Sequence, residues 1–273
     1  MTLWLCRTCG VEYGDTAEPP ARCVICEDDR QYVGWGGQEW TTREELLAQG
    51  HRNDVRDLEP GLTGIGIAPP FSIGQRALLV QTEGGNVLYD CVSLLDDEAR
   101  EAIEARGGVD AITLSHPHFY DAMVSWSHAF GGCPVYVPDV DREFVTRPDP
   151  VIEYWDGAPL EVAPGVTLIR TGGHFPGSAV LHWAGGAEGR GALLVGDSIT
   201  VVPDRRYVSF MYSYPNLIPT SPETVRAIVA SVEPYDFDRI YGGWWGRNVM
   251  EGGKDAVDRS AERYISYLQG EHG

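Results

Sequence analysis

Short apolar runs alternate with amphipathic stretches along most of the chain, and the alternation predicts its elements. Leu62 to Ala68 and Gln75 to Thr82 read as paired strands, with Ala77-Leu-Leu-Val80 buried. Gly84-Gly85 marks a hairpin turn, from which Asn86 to Asp90 returns. Asp96 to Arg106 reads as a helix that starts on acidic residues and stops at Gly107-Gly108. Val109 to Leu114 is the next strand, 122–130 a helix with Asp121 in its first turn, and Pro134 to Val137 another strand. Strand, helix, strand, helix implies α/β layering. The second half repeats the theme with strands at Val166 to Arg170, Ser178 to Trp183, Gly191 to Val195 and Phe237 to Tyr241. Helices follow at Pro222 to Val232 and Gly253 to Gln269.

The first 60 residues differ. Residues 1–33 are polar, with Pro19 and Pro20, and hold Cys6-Arg-Thr-Cys9 and Cys23-Val-Ile-Cys26. Each CxxC bends into a turn whose thiolates face one metal, and two such turns complete a closed tetrahedral site. A segment with so little core depends on the metal to hold it together. The pattern resembles a zinc ribbon or a rubredoxin-like knuckle pair, and four sulfurs suit zinc and iron alike. Residues 34–60 are read as a connector, with a short helix over 42–48 capped by Thr42. The main domain is placed at 61–273. Cys91 and Cys133, beside apolar strands, are expected to be small buried hydrophobes.

With 273 residues, 43% hydrophobic and 22% charged, the composition is that of an ordinary globular protein. No apolar run approaches a membrane span, and the N-terminus lacks a basic-then-apolar secretory pattern, so a cytoplasmic protein without a membrane partner is expected. A net charge of −19 opposes binding to a phosphate backbone and makes nucleic acid a poor substrate. A small-molecule substrate is expected instead, with the four-cysteine module available to a protein partner.

The candidate chemistry sits at strand ends. His116 and His118 follow the strand that ends at Ser115, and Asp121 comes three residues later. Residues i and i+2 of an extended segment point the same way, so the two imidazoles are positioned to grip one ion. His174 lies in Thr171-Gly-Gly-His-Phe-Pro-Gly177 between two strands, and Asp197 ends Leu193-Leu-Val-Gly-Asp197. Three strand-end sites in this order resemble the metallo-β-lactamase superfamily, glyoxalase II and lactonase-like hydrolases included, over roughly residues 60–250.

The resemblance implies an αββα sandwich, a metal held by His116, His118 and His174, and Asp197 as a bridging carboxylate. The usual His-x-His-x-Asp-His reads here His116-Pro-His118-Phe-Tyr120-Asp121, and the loop that usually brings the last His reads Gly242-Gly-Trp-Trp245. The second metal position keeps only Asp121 and a share of Asp197. One firmly held zinc is therefore expected, with a weaker second ion helped by Asp121; His128 is a remote substitute ligand. Asp197 or Asp121 would serve as general base, and Tyr120 would donate to an oxyanion or leaving group. Arg205 and Arg206 are candidates to hold an anionic substrate, and Trp244 and Trp245 to make the pocket apolar. His51, His182 and His272 have no supporting pattern. The leading reading is hydrolysis of a small ester, thioester, lactone or amide. An iron oxidoreductase of the sulfur-dioxygenase kind uses His116, His174 and Asp197, and a binding protein with a degraded second site is the third reading.

Overall fold

The computed structural model describes residues 2–271; His272 lies outside them. Strands β1 (Thr2–Cys6), β2 (Glu12–Thr16) and β3 (Trp40–Thr41) form a small antiparallel sheet in the order β2-β1-β3. Helix α1 (Arg43–Ala48) follows, and Thr42 caps it by accepting the Glu45 N–H. The expected connector is therefore not a linker. Its Trp40–Thr41 completes the sheet of the cysteine module, and β4 (Arg52–Glu59) is already the edge of the main domain.

A seven-stranded sheet continues through β5 (Leu62–Ala68), β6 (Ala77–Val80), β7 (Val87–Tyr89), β8 (Ala111–Thr113), β9 (Val135–Pro138) and β10 (Ile152–Trp155). Its spatial order is β10-β9-β8-β7-β6-β5-β4. β4 to β7 run antiparallel, whereas β7, β8, β9 and β10 pair in parallel. The parallel crossovers carry α2 (Asp97–Glu104) and α3 (Met123–Ala129).

The second sheet has β11 (Leu160–Ala163), β12 (Val166–Arg170), β13 (Ala179–Trp183) and β14 (Ala192–Val195) in antiparallel succession. Two short hairpins follow: β15 (Thr200–Val201) with β16 (Val208–Ser209), and β17 (Met211–Ser213) with β18 (Ile218–Pro219). After helix α4 (Pro222–Val232), β19 (Arg239–Gly242) lies parallel to β14, β20 (Asn248–Val249) closes the sheet, and α5 (Gly253–Leu268) ends the fold.

Among the described residues, three large apolar cores separate four layers, and a small fourth cluster holds Leu5, Leu46 and Phe71. Leu62, Leu78, Val80 and Tyr89 meet Val166, Leu181, Leu194 and Trp183 between the sheets. Val180, Leu193 and Ile240 pack under α4 and α5. Ile65, Leu79, Leu88 and Ile112, on the outer face of the first sheet, share a core with Trp126 and with all four cysteines of the N-terminal module. This is the αββα sandwich, and the module is built into it. Cys91 and Cys133 are buried in the same core as free thiols.

Candidate metal centres

Two groups of side chains converge as metal ligands do: Cys6, Cys9, Cys23 and Cys26, and His116, His118, His174 and Asp197, all buried.

The sulfur atoms of Cys6 and Cys26 are 3.5 Å apart, and those of Cys9 and Cys23 are 3.6 Å apart. Four thiolates at ~2.3 Å from one tetrahedral ion would be separated by ~3.8 Å, so the set fits a metal with little movement. Burial raises the Cys9 thiol well above its ordinary range, and the neighbouring sulfurs push it further. Four thiolates cannot share this space without a cation. Gln38 donates to the Cys6 sulfur at 3.2 Å.

The second group is assembled from strand ends of both sheets. β8 runs out at Ser115, His116 remains extended, and Pro117 starts one 3₁₀ turn over Pro117–Phe119. His116 and His118 therefore face one point across a turn, and the straight i, i+2 segment expected from sequence is absent. His174 hangs from the β12–β13 loop, whose Thr171 N–H bonds the Ser178 carbonyl. Asp197 follows β14 after Gly196. The Ala179 N–H donates to the Ser115 carbonyl at 2.8 Å and ties the two halves together.

The three imidazoles meet edge to face, with centroids 4.8 to 5.1 Å apart. His118 Nδ1 lies 3.2 Å from His174 Nε2. Asp197 Oδ2 lies 3.5 Å from His116 Nε2 and 4.0 Å from His174 Nε2. Three imidazole nitrogens at ~2.0–2.1 Å from one tetrahedral ion would be ~3.3 Å apart, close to the 3.2 Å between His118 and His174, and Asp197 Oδ2 stands beside them. His116 Nε2 is buried with no hydrogen-bond partner among the described residues, a costly state that a metal relieves.

The outward atoms of the group are held. Ser115 Oγ sits 2.8 Å from His116 Nδ1, and the Met211 carbonyl 3.2 Å from His174 Nδ1. Thr200 donates to Asp197 Oδ1 at 2.9 Å, and the Tyr214 hydroxyl to the Asp197 carbonyl at 3.0 Å. Such bonds fix ring orientation and ligand basicity. Burial holds His118 well below the ordinary imidazole range, and it brings His174 down to about 3. Burial pushes Asp197 up, but His116 at 3.5 Å, with His174 and the Thr200 hydroxyl, outweighs it and holds the carboxyl low. A neutral His118 and His174 beside a carboxylate are in the protonation states that a divalent cation requires.

Several expected site residues lie elsewhere. Asp121 is not in the group. Its backbone is left-handed at φ 39, and its carboxylate accepts from Ser93 and Gln75, both at 2.5 Å. It therefore stands between the His-Pro-His turn and the first cysteine knuckle, where the Glu12 N–H donates to its carbonyl. Tyr120 is fully buried in the outer core, so it does not face a substrate. Arg205 and Arg206 are exposed on the far arm of their segment, where Arg206 pairs with Asp204 at 2.7 Å. Trp245 packs over Gly64 and Gly66 of β5, whose missing side chains make room for it, and Arg56 stacks on it. Trp244 does lie near the centre, edge-on to Phe119 at 5.5 Å. His128 is exposed and pairs with Asp149 at 3.2 Å. His51 and His182 bond backbone carbonyls of Pro69 and Asp236. Ser115, Thr200, Met211 and Tyr214 carried no signal in the sequence beyond proximity to the ligands.

No family model matches the chain. The uncharacterized protein YmaE of Bacillus subtilis (strain 168) is 47% identical over 272 residues, covering 99% of this chain and 98% of that protein. Among solved structures, VMB-1 superposes with a TM-score of 0.58 at 12% identity over 80% of this chain and 98% of its own. A metallo-β-lactamase from Hirschia baltica gives 0.54 at 15% identity, over 78% of this chain and 97% of its own. A B3 metallo-β-lactamase with an active-site glutamic acid gives 0.53 at 16%, over 84% and 94%. At these identities the structures speak to fold alone. The chain belongs to one family with YmaE, and its fold is that of the metallo-β-lactamases with a four-cysteine cluster at the N-terminus.

Proposed function

We propose that this protein is a metal-dependent hydrolase acting on a small ester, thioester, lactone or amide. The observation that carries the reading is the convergence of three histidine nitrogens and one carboxylate oxygen in a buried, pre-organised set. A zinc ion bound there would supply water of lowered pKa and polarise a substrate carbonyl.

The protein's own part follows from the geometry. His116, His118 and His174 would hold the ion from one side. Thr200 occupies Asp197 Oδ1, which leaves Oδ2 directed at the centre to orient a water and take its proton. Phe119 and Phe175, packed against the imidazoles at 4.8 to 5.9 Å, keep bulk water away. Asp121 and Tyr120 have no part in the reaction. Among the described residues no helix is long and apolar enough to cross a membrane. The acidic surface disfavours nucleic acid, so a small-molecule substrate is the reading kept.

The test is metal content and hydrolysis of a panel of neutral esters, thioesters and lactones, on the protein as isolated and on His116→Ala. Two zinc per chain falling to one, together with loss of hydrolysis, supports the reading. Iron that leaves with the His116→Ala change would move the assignment to oxygen chemistry.

A further inference from the structure

The loop that braces the histidine centre is itself held by the cysteine module. The Met211 carbonyl bonds His174, and the Tyr214 hydroxyl bonds the Asp197 backbone. Around these two anchors the same segment is tied to residues 29–31. The Tyr212 hydroxyl donates to Asp29 Oδ1 at 2.6 Å, and Ser213 Oγ to the Arg30 carbonyl at 3.0 Å. Asn216 Nδ2 donates to the carbonyls of Asp29 and Gln31 at 3.0 and 3.1 Å. The Arg30 guanidinium, paired with Asp28 at 2.7 Å, lies 4.3 Å over the Phe175 ring and 4.8 Å over that of Tyr212. Phe175 in turn packs on His118 and His174.

Residues 23–31 contain no strand or helix. Their shape comes from turns, among them the Glu27 N–H to the Cys23 carbonyl and the Gln31 N–H to the Asp28 carbonyl. A segment of this kind keeps one conformation only while Cys23 and Cys26 are tied to a common ion. Bonds that orient metal ligands are typically worth about 10–100-fold in metal affinity. We infer that the second cysteine knuckle positions His174 and Asp197 through the 211–216 loop, so that metal at the four cysteines tightens metal binding at the histidine centre. Asn216 and Tyr212 are the positioning residues that carry the coupling. By linkage, metal at the histidine centre tightens the cysteine site by the same factor. The inference rests on a metal occupying the histidine centre and is independent of the reaction performed there.

Cobalt(II) reads the two sites separately, because thiolate ligation gives intense near-ultraviolet charge-transfer bands and nitrogen–oxygen ligation gives only weak visible bands. The cobalt affinity of the histidine centre would be measured by chelator competition in the full chain, in Asn216→Ala, in Tyr212→Phe and in the double variant. The expected result is a loss of about ten-fold or more in the double variant, with the thiolate bands and the melting temperature retained. Arg206→Ala, on the far arm of the segment, should leave the affinity unchanged. Equal affinity in the double variant and the full chain would overturn the inference. So would a wild-type chain that takes up cobalt at the cysteines alone, since the knuckle would then have no centre to position. A coupled protein that hydrolyses nothing would refute the hydrolase reading and leave the coupling standing.

Discussion

Gly196 sits where β14 hands the chain to Asp197, and a methyl group there would reach across to the other half of the centre. A Cβ at 196 would lie 2.7 Å from Ser115 Cβ and 2.9 Å from His116 Nδ1, with Ser115 Oγ closer still. Nonbonded heavy atoms settle at about 3.5–4.0 Å, so Gly196→Ala must drive the strands apart by roughly 0.8 Å. Rotating the Ser115 hydroxyl does not relieve the clash, because Ser115 Cβ is fixed to the backbone. Metal–ligand distances tolerate only about 0.2 Å. His116 is therefore carried out of reach, and affinity at the histidine centre should fall by about 10–100-fold. Overpacking of this kind costs about 1–3 kcal/mol, which for a chain of this size lowers the melting temperature by roughly 2–5 °C. Ser115→Ala loses the bond to His116 Nδ1 without the clash, and it should cost less on both measures. Gly14→Ala, with nothing within 4 Å of the added methyl, is the control. The assays are chelator competition for zinc and thermal unfolding. Unchanged zinc affinity in Gly196→Ala would refute the packing argument.

Two further outcomes concern protons. His118 is held far below its ordinary range and His174 at about 3, so neither competes with metal for a proton between pH 5 and 7. The logarithm of zinc affinity at the histidine centre should change by at most about 1 per pH unit there, where three ordinary imidazoles at ~6.5 would give about 3 at the acid end; a slope near 3 would show that the imidazoles are solvated. Asp121 is raised to about 8 by burial, above its unfolded value of ~3.9. The native state then holds that proton more tightly, so its contribution is full below about pH 4 and is lost as pH rises towards 8. Asp121→Asn should match the parent at pH 4 and melt at higher temperature at pH 8. A difference in melting temperature that does not vary with pH would contradict the assignment.

The metal ligands were legible because each ends an apolar run: Leu114 before His116, Ile169 before the His174 loop, Val195 before Asp197. Burying a strand in an α/β sheet fixes where its last residue emerges. The CxxC spacing was legible for a similar reason, since a two-residue gap leaves the thiolates few directions. Asp121 reads as a ligand from its spacing alone, because spacing does not reveal a change of backbone hand. The left-handed turn at Asp121 swings its carboxylate to Ser93 and Gln75. β4 was missed because Arg-Asn-Asp-Val-Arg-Asp-Leu-Glu is the mostly polar sequence of an edge strand, which has little burial to advertise. Arg205 and Trp245 are candidates only through their nearness in sequence to Asp197 and to the expected loop. The chain turns Trp245 onto β5 and leaves Arg205 exposed beside Gly246, and that choice depends on contacts far away in sequence.

The shared core of cysteines and first-sheet residues also sets a clock on synthesis. The module is held down by Arg147, paired with Glu12, and by the Thr146 hydroxyl on the Glu12 carbonyl at 2.7 Å, while Ile152 packs in the same core. Arg147 follows Cys26 by 121 residues (147 − 26). At ~5–20 residues per second, the four thiols wait roughly 6–24 s before the surface that buries them exists. During that interval they are unburied thiols, and a metal captured early would shield them from oxidation until the sheet arrives.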